Sequence, residues 1–191
     1  EWDAYSIHDP YPLVYRGKIY LYYKSDFDIR ERIVRMQGLA IADHPLGPFK
    51  KHPLNPVCNS GHETALFPFK EGIAALLTKD GNEHFTIQYA EDGVNFKIAS
   101  ITMLMPHAPG PFVPDAFANT RNGRGITWGL NHNIRPKGHT ILMRFDCDLS
   151  LDVHYPEMTK HKYVDDPEHY YEHGLSEELL ERIKQENRIE D

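Results

Sequence analysis

The sequence has few cysteines, no excess of positive charge and no long apolar run, and each absence removes a class of protein. Its 191 residues include only two cysteines, which argues against a disulfide framework or a thiolate metal site. Acidic residues outnumber basic ones by 28 to 21, and the formal net charge is −7, so we expect no binding to nucleic acid. No apolar run approaches the roughly 18 residues of a membrane span, so we expect no membrane partner.

The composition is typical of a globular protein. Hydrophobic residues make up 40% of the chain, which is enough for one sizeable core or for one part of a larger domain. Residues 1–5 contain no initiator methionine and no signal segment, and they lead directly into strand-like sequence. We therefore interpret the chain as a fragment or a processed product, and its compartment stays open.

An internal repeat of about 50 residues runs through most of the chain. Each copy consists of an acidic residue, an apolar run, a glycine-containing turn and a second apolar run, which predicts a hairpin of buried strands. The three acidic residues are Asp9, Glu63 and Asp115. In the third copy the predicted strands are residues 115–119 and 126–130. A third strand candidate follows each hairpin, and two copies continue into a short edge-like strand.

Four strands in a repeat of this length are typical of a β-propeller blade. We therefore predict an all-β fold in which residues 1–154 form about three blades. Because three blades do not close a ring, the remaining blades should lie upstream of Glu1 or come from a partner chain.

The last part of the chain, residues 155–191, lacks the blade pattern and is predicted to be a tail that ends in an α-helix. The helix should begin at about Ser176, a suitable N-cap, and it carries Leu179, Leu180 and Ile183 on one apolar stripe. A lone helix of this length is marginal in water. The stripe should therefore be buried against the flank of the propeller or against a partner subunit.

The acidic repeat positions indicate the chemistry. The innermost strand of each propeller blade starts near the central axis, so Asp9, Glu63 and Asp115 are expected to converge at one mouth of the channel. Converging carboxylates raise one another's proton affinity, so one can stay protonated while another is ionised, as glycosidic cleavage requires. An acid at a repeat position can equally cap a turn or pair with an arginine.

A histidine directly precedes the acid in two of the copies, at His8 and His62. Adjacent residues of a strand face opposite sides, so a histidine and an acid that reach one ligand require a bulge or bend. A histidine can also serve as the proton donor, because its ordinary pKa is close to neutral. Hydrogen-bonded packing is the commoner role for such a residue.

Three runs of the sequence, WDAYSIHDPYP at residues 2–12, SGHETALFP at 60–68 and AEDGVNF at 90–96, resemble glycoside hydrolase family 117. That family comprises α-1,3-(3,6-anhydro)-L-galactosidases, or neoagarooligosaccharide hydrolases. The resemblance covers essentially the whole chain and corresponds to the C-terminal half of a family member. It implies a five-bladed propeller that releases 3,6-anhydro-L-galactose from the non-reducing end of neoagarooligosaccharides with inversion. It also implies a homodimer, in the periplasm or cytoplasm of an agar-degrading bacterium.

The resemblance implies roles for individual residues. Asp9 matches the carboxylate that stabilises charge and tunes the acid, Glu63 matches the acid-position carboxylate of related propeller hydrolases, and His62 matches the proposed proton donor. The general base would lie in an earlier blade, outside this chain. Inversion needs that second carboxylate, so the isolated chain is expected to be incomplete without the N-terminal half of the enzyme.

Four further residues are candidates for the site. We expect His8 and Asp115 to contact the agar-derived oligosaccharide, together with Trp128, whose indole can stack on a sugar although a core role is its default. His132 can help to hold a water-shelled divalent cation at the propeller axis, although packing is its commoner role. No cofactor is required with certainty.

Two other functions fit the same pattern. One is another five-bladed propeller enzyme, such as an arabinofuranosidase-like glycosidase; a phosphorylase would need a basic phosphate pocket, whereas the blade openings here are acidic. The other is a non-catalytic carbohydrate-binding propeller fragment, which the missing base favours.

Overall fold

A computed structural model of the chain describes residues 2–4, 6–29, 32–79, 81–102, 106, 108–134 and 140–147. These residues form strands and loops without a helix, so the predicted all-β class is confirmed. No helix able to cross a bilayer occurs in this part of the chain. The predicted tail, residues 155–191 with its helix from about Ser176, lies outside the described residues.

The described residues form twelve strands, which pair antiparallel in three sheets. In chain order the strands are β1 (His8–Tyr15), β2 (Lys18–Ile29), β3 (Arg32–Ala42), β4 (Lys50–Lys51), β5 (His62–Lys70), β6 (Gly72–Lys79), β7 (Thr86–Ala90), β8 (Lys97–Ile101), β9 (Gly110–Pro111), β10 (Gly123–Arg124), β11 (Trp128–Ile134) and β12 (Thr140–Asp146).

The first repeat forms a four-stranded sheet in the order β1-β2-β3-β4. Tyr15 pairs with Lys18 across a two-residue turn. Both turn residues have positive φ, 51° at Arg16 and 73° at Gly17, as a type I′ hairpin requires. The predicted hairpin, third strand and edge strand of this repeat are therefore confirmed.

The second repeat forms the sheet β5-β6-β7-β8, and β10 joins it at the free edge of β5. Gly123 of β10 pairs with Lys70, and Arg124 pairs with Phe69. The predicted hairpin and the two strands that follow it are confirmed, whereas the added strand from the third repeat was not predicted.

The third repeat forms the smaller sheet β12-β11-β9, and the predicted strand at residues 115–119 is wrong. Those residues lie in turns, where Ala118 N–H donates to the Asp115 carbonyl at 3.2 Å. Pro114 has no N–H for a strand ladder, and the Asp115 carboxylate accepts the Arg124 N–H at 2.8 Å. These bonds hold the segment in a turn. The strand that pairs with the free edge of β11 is β9.

The core lies on both faces of the second sheet. Leu66, Ile73 and Leu77 pack with side chains of the first sheet such as Leu13 and Leu39. On the other face, a second cluster contains Ala65, Phe67, Ala74, Leu76 and Ile126, with Val113 and Cys147 packed against it. Because residues 65–68 are all buried, β5 is enclosed on both sides, as expected of the inner strand of a central sheet.

The third sheet is covered on only one face. Gly129, Asn131 and Phe145 are buried, while Leu130 and Leu142, which point the other way along their strands, are 44% and 74% exposed. The described part of the chain therefore has an uncovered face on its third sheet, where the two leucines lie beside the exposed ion pair of Arg144 and Asp146.

Candidate active site

The two histidine–acid pairs lie at the first residues of β1 and β5. Asp9 and Glu63 both have a left-handed backbone, with φ of 50° and 59°, a conformation that few non-glycine residues adopt. In β1 the pairing register also slips between His8 and Tyr11. The local bend that the sequence required is therefore present at equivalent positions of two repeats.

The bend places each imidazole beside the carboxylate of the next residue. His8 Nδ1 lies 3.6 Å from Asp9 Oδ1, and His62 Nδ1 lies 3.8 Å from Glu63 Oε1. The two carboxylates differ in exposure, since the Asp9 side chain is 61% exposed and that of Glu63 is 13% exposed. One acid is thus open to solvent, and the other is sheltered.

A tight contact between the first two repeats brings the pairs together. The Gln37 side-chain amide donates to the Gly61 carbonyl at 3.0 Å, and Gln37 N–H donates to the Cys58 carbonyl at 3.1 Å. A Cβ at Gly61 would lie 2.5 Å from Met36 N, so only glycine permits this approach. The segment that leads into His62 is therefore held against β3 of the first sheet.

Lys24, which the sequence analysis did not select, lies under Asp9. It pairs with His8 in the β1–β2 ladder, is 4% exposed, and places its Nζ 2.5 Å from Asp9 Oδ2. Burial alone would raise the pKa of Asp9, but the hydrogen bond and charge of Lys24, with charge from His8 and His62, lower that pKa below its ordinary value. Asp9 is therefore ionised at neutral pH.

β1 and β5 contact each other, and charge on His62 lowers the pKa of Asp9 across that contact. A signal for Lys24 was present in the sequence, because it continues the apolar run IYLYY of β2. Lysines are seldom fully buried unless they are paired. A lysine in such a strand therefore indicates a carboxylate partner.

Behind His8 lies a second carboxylate. His8 Nε2 is 3.4 Å from Asp26 Oδ2, and Asp26 in turn lies 3.2 Å from Arg35 Nε and accepts a hydrogen bond from the Ser6 hydroxyl at 3.1 Å. The imidazole of His8 thus lies between an exposed carboxylate, Asp9, and a half-buried one.

Comparison with known proteins places this arrangement in a family. No family model and no curated protein matches the chain. Among solved structures, it is similar to a family 117 glycoside hydrolase produced by the marine bacterium Zobellia galactanivorans, at 60% sequence identity and a TM-score of 0.70. The chain belongs to glycoside hydrolase family 117. The match covers 80% of this chain and 45% of the relative, so the chain spans less than half of the relative's length.

In this family 117 chain, Asp115 does not join the other two acids, so the expected convergence of three carboxylates is wrong. Arg124, its partner, pairs with Phe69 near the far end of β5. At about 3.4 Å per residue, that position is roughly 20 Å from Glu63. The Arg124 guanidinium lies 2.7 Å from Asp115, and its hydrogen bonds lower the pKa of the buried carboxyl against the effect of burial. Of the two interpretations of a repeat acid, arginine pairing in a turn describes Asp115.

The indole of Trp128 is already engaged within the family 117 fold. It stacks on Phe112, with ring centroids 5.4 Å apart and planes at 15°, and the Arg144 guanidinium lies 5.0 Å from its centroid. The indole is half-buried and Phe112 is 50% exposed, so Trp128 packs at the surface of the third sheet and is not part of either core cluster of the described residues. Contact between Trp128 and a sugar stays a prediction.

Around His132, the described residues offer no cluster of side chains that would coordinate a cation directly. His132 is half-buried on β11 and pairs with Leu142 of β12. Among the described residues, no three histidine, cysteine, aspartate or glutamate side chains form a group that could hold a metal ion. A cation held through water by His132 stays a prediction, and no step of the mechanism below uses one.

Proposed function

We propose that this chain supplies the acid side of the active site of a glycoside hydrolase that releases 3,6-anhydro-L-galactose from the non-reducing end of neoagarooligosaccharides with inversion. The meeting of two histidine–acid pairs at the starts of β1 and β5 carries the proposal. Family 117 membership supports the glycosidase class, and the sequence resemblance to anhydro-L-galactosidases supports the sugar.

In this mechanism Asp9 provides the fixed negative charge. It is ionised at neutral pH and largely exposed, so it can face the positive charge that develops on the sugar ring in an oxocarbenium-like transition state. The same charge acts on His62. The carboxylate is within electrostatic reach of His62, and an imidazole in its protonated form is able to donate a proton.

Proton donation to the leaving oxygen comes from the second pair. His62 is the donor in the proposal, and Glu63, 3.8 Å from its Nδ1, orients the imidazole. The two residues are adjacent on a bent strand, so one substrate oxygen can reach either of them. The pH dependence of turnover separates the two possible donors.

The general base and the remaining blades belong to the rest of the protein in this proposal. The uncovered face of the third sheet, with Leu130 and Leu142, is where a further blade would pack, and the relative is about twice as long as its matched part. We therefore propose a five-bladed propeller to which this chain contributes three blades, assembled as a homodimer.

The test is incubation of the full-length protein with neoagarobiose. We expect release of 3,6-anhydro-L-galactose, and proton NMR of the first product formed should show an inverted anomeric centre. Release of arabinose from aryl arabinofuranosides without cleavage of neoagarobiose would replace the proposed substrate. Calorimetric binding of neoagarobiose with no cleavage would indicate a carbohydrate-binding protein instead.

A further inference from the structure

The pair of Lys24 and Asp9 is asymmetric. The lysine is 4% exposed, whereas the carboxylate it contacts belongs to a side chain that is 61% exposed. Taking an ammonium group out of water is costly, and an apolar residue of similar size commonly serves stability as well or better. The buried charge is therefore poorly explained by stability, and its partner is the one part of the pair that a ligand can reach.

The backbone of Asp9 is restrained at the same point. Its φ of 50° and the register slip that follows His8 turn the carboxylate toward Lys24, and Nζ to Oδ2 is 2.5 Å. A carboxylate on an exposed side chain would otherwise rotate freely about its two side-chain torsions. The bend and the ammonium together leave it a single orientation.

We propose that Lys24 is a positioning residue, whose buried ammonium group holds the Asp9 carboxylate in one orientation and in its charged form toward the sugar. The proposal rests on the proposed function of Asp9 in glycoside cleavage. In this proposal Lys24, on β2, positions the carboxylate of Asp9, on β1.

The other charged groups around Asp9 explain why a lysine is needed beside it. His8 and His62 face Asp9 and lower its pKa, but their charge is lost when they deprotonate. Beyond them lie two more carboxylates, Asp26 beside His8 and Glu63 beside His62, and Arg35 Nε lies 3.2 Å from Asp26. Lys24 makes a shorter contact with Asp9 than His8 does, 2.5 Å from its Nζ to Oδ2 against 3.6 Å from His8 Nδ1 to Oδ1.

The experiment compares Lys24→Met, Lys24→Gln and Lys24→Arg in the full-length protein. The Asp9 pKa is measured by carbon-13 NMR of labelled aspartate carboxyls, with Asp9→Asn used to assign the signal, and kcat and KM are measured across pH. In Lys24→Met we expect a raised Asp9 pKa and an acid limb of the kcat profile that moves to higher pH. We expect kcat to fall between about tenfold and a hundredfold with little change in KM, as for a misplaced catalytic group.

The other two variants separate charge from shape. Lys24→Arg should restore most of kcat and the position of the acid limb. Lys24→Gln can still donate a hydrogen bond to Asp9 but carries no charge, so the Asp9 pKa should rise in this variant as well. It provides the test if Lys24→Met fails to fold. A wild-type Asp9 pKa and acid limb in Lys24→Gln would overturn the proposal, whatever happens to the melting temperature.

The outcomes also distinguish this proposal from the proposed function. A raised Asp9 pKa in the variants of a protein that cleaves no neoagarobiose would support Lys24 as the group that positions Asp9 and refute the assigned reaction. An active wild-type protein whose Asp9 pKa is unchanged in Lys24→Met and Lys24→Gln would keep the reaction and refute the role of Lys24.

Discussion

Replacement of Asp9 with asparagine changes little except charge, because asparagine is nearly isosteric with aspartate and tolerates the left-handed backbone found there. Loss of the carboxylate removes the charge that, in the proposed function, faces the sugar, so turnover should fall by orders of magnitude. The structure adds a second effect. The Lys24 ammonium, 4% exposed, loses the carboxylate that lies 2.5 Å from it, and a buried charge without its partner destabilises the fold.

The size of that destabilisation follows from the exposure of the pair. Removal of one partner from a fully buried ion pair costs about 3–5 kcal/mol. The Asp9 side chain is 61% exposed, so water can reach the outer side of the ammonium, and we expect a smaller loss of about 1–3 kcal/mol. The double variant Asp9→Asn/Lys24→Met should recover most of this stability, because it removes both charges, but none of the turnover.

Urea unfolding of the wild type, the two single variants and the double variant measures this coupling. Asp43→Asn is the matched control, since Asp43 lies 2.8 Å from Lys18 in an exposed pair and should change stability little. Unchanged stability in Asp9→Asn, or losses that simply add in the double variant, would refute the reasoning. Near-wild-type turnover in Asp9→Asn would remove Asp9 from the site.

Three further predictions concern other parts of the chain. His62→Gln should lower turnover and remove one limb of the pH–rate profile if histidine is the donor, whereas an unchanged profile together with loss of activity in Glu63→Gln would return the acid role to Glu63. Asp115→Asn should destabilise the fold without a change in kcat. Because the Arg124 hydrogen bonds lower the pKa of Asp115, the stability that they contribute is present above the ordinary pKa of aspartate and is lost as the pH falls through the lowered value. Acid unfolding curves of the wild type and the variant measure this difference. Truncation after Pro167 should weaken dimerisation, and sedimentation of a dimer with unchanged affinity would contradict that role of the tail.

The strands that the sequence predicted well are those with strong local signals. Alternating or continuous apolar runs joined at Arg16–Gly17 or Glu71–Gly72 specify a hairpin within about 20 residues, so β1–β2 and β5–β6 were both recognised. The two-residue strand β10 carries no such signal. Its pairing with Phe69 and Lys70 joins segments more than 50 residues apart, and only the assembled sheets determine it.

The candidate site was predictable to the same degree. Adjacency in the sequence identified His62 with Glu63 and His8 with Asp9, because neighbouring residues remain neighbours in any fold. Lys24 was missed because it lies 15 residues from its carboxylate and is brought there by the β1–β2 ladder.

Backbone conformation separates Asp9 and Glu63, the two acids of the proposed site, from Asp115. Asp9 and Glu63 have positive φ, and Asp115 does not, although all three follow the same repeat pattern. A left-handed residue other than glycine costs about 1–2 kcal/mol, so it persists only where the surroundings hold it. The Thr78 hydroxyl does so for Glu63 by donating to its carbonyl at 2.5 Å, and Lys24 does so for Asp9. Stability alone would favour relaxed strand starts at both positions, so the strained conformation that the two acids share supports the proposed site, in which both carboxylates face one ligand.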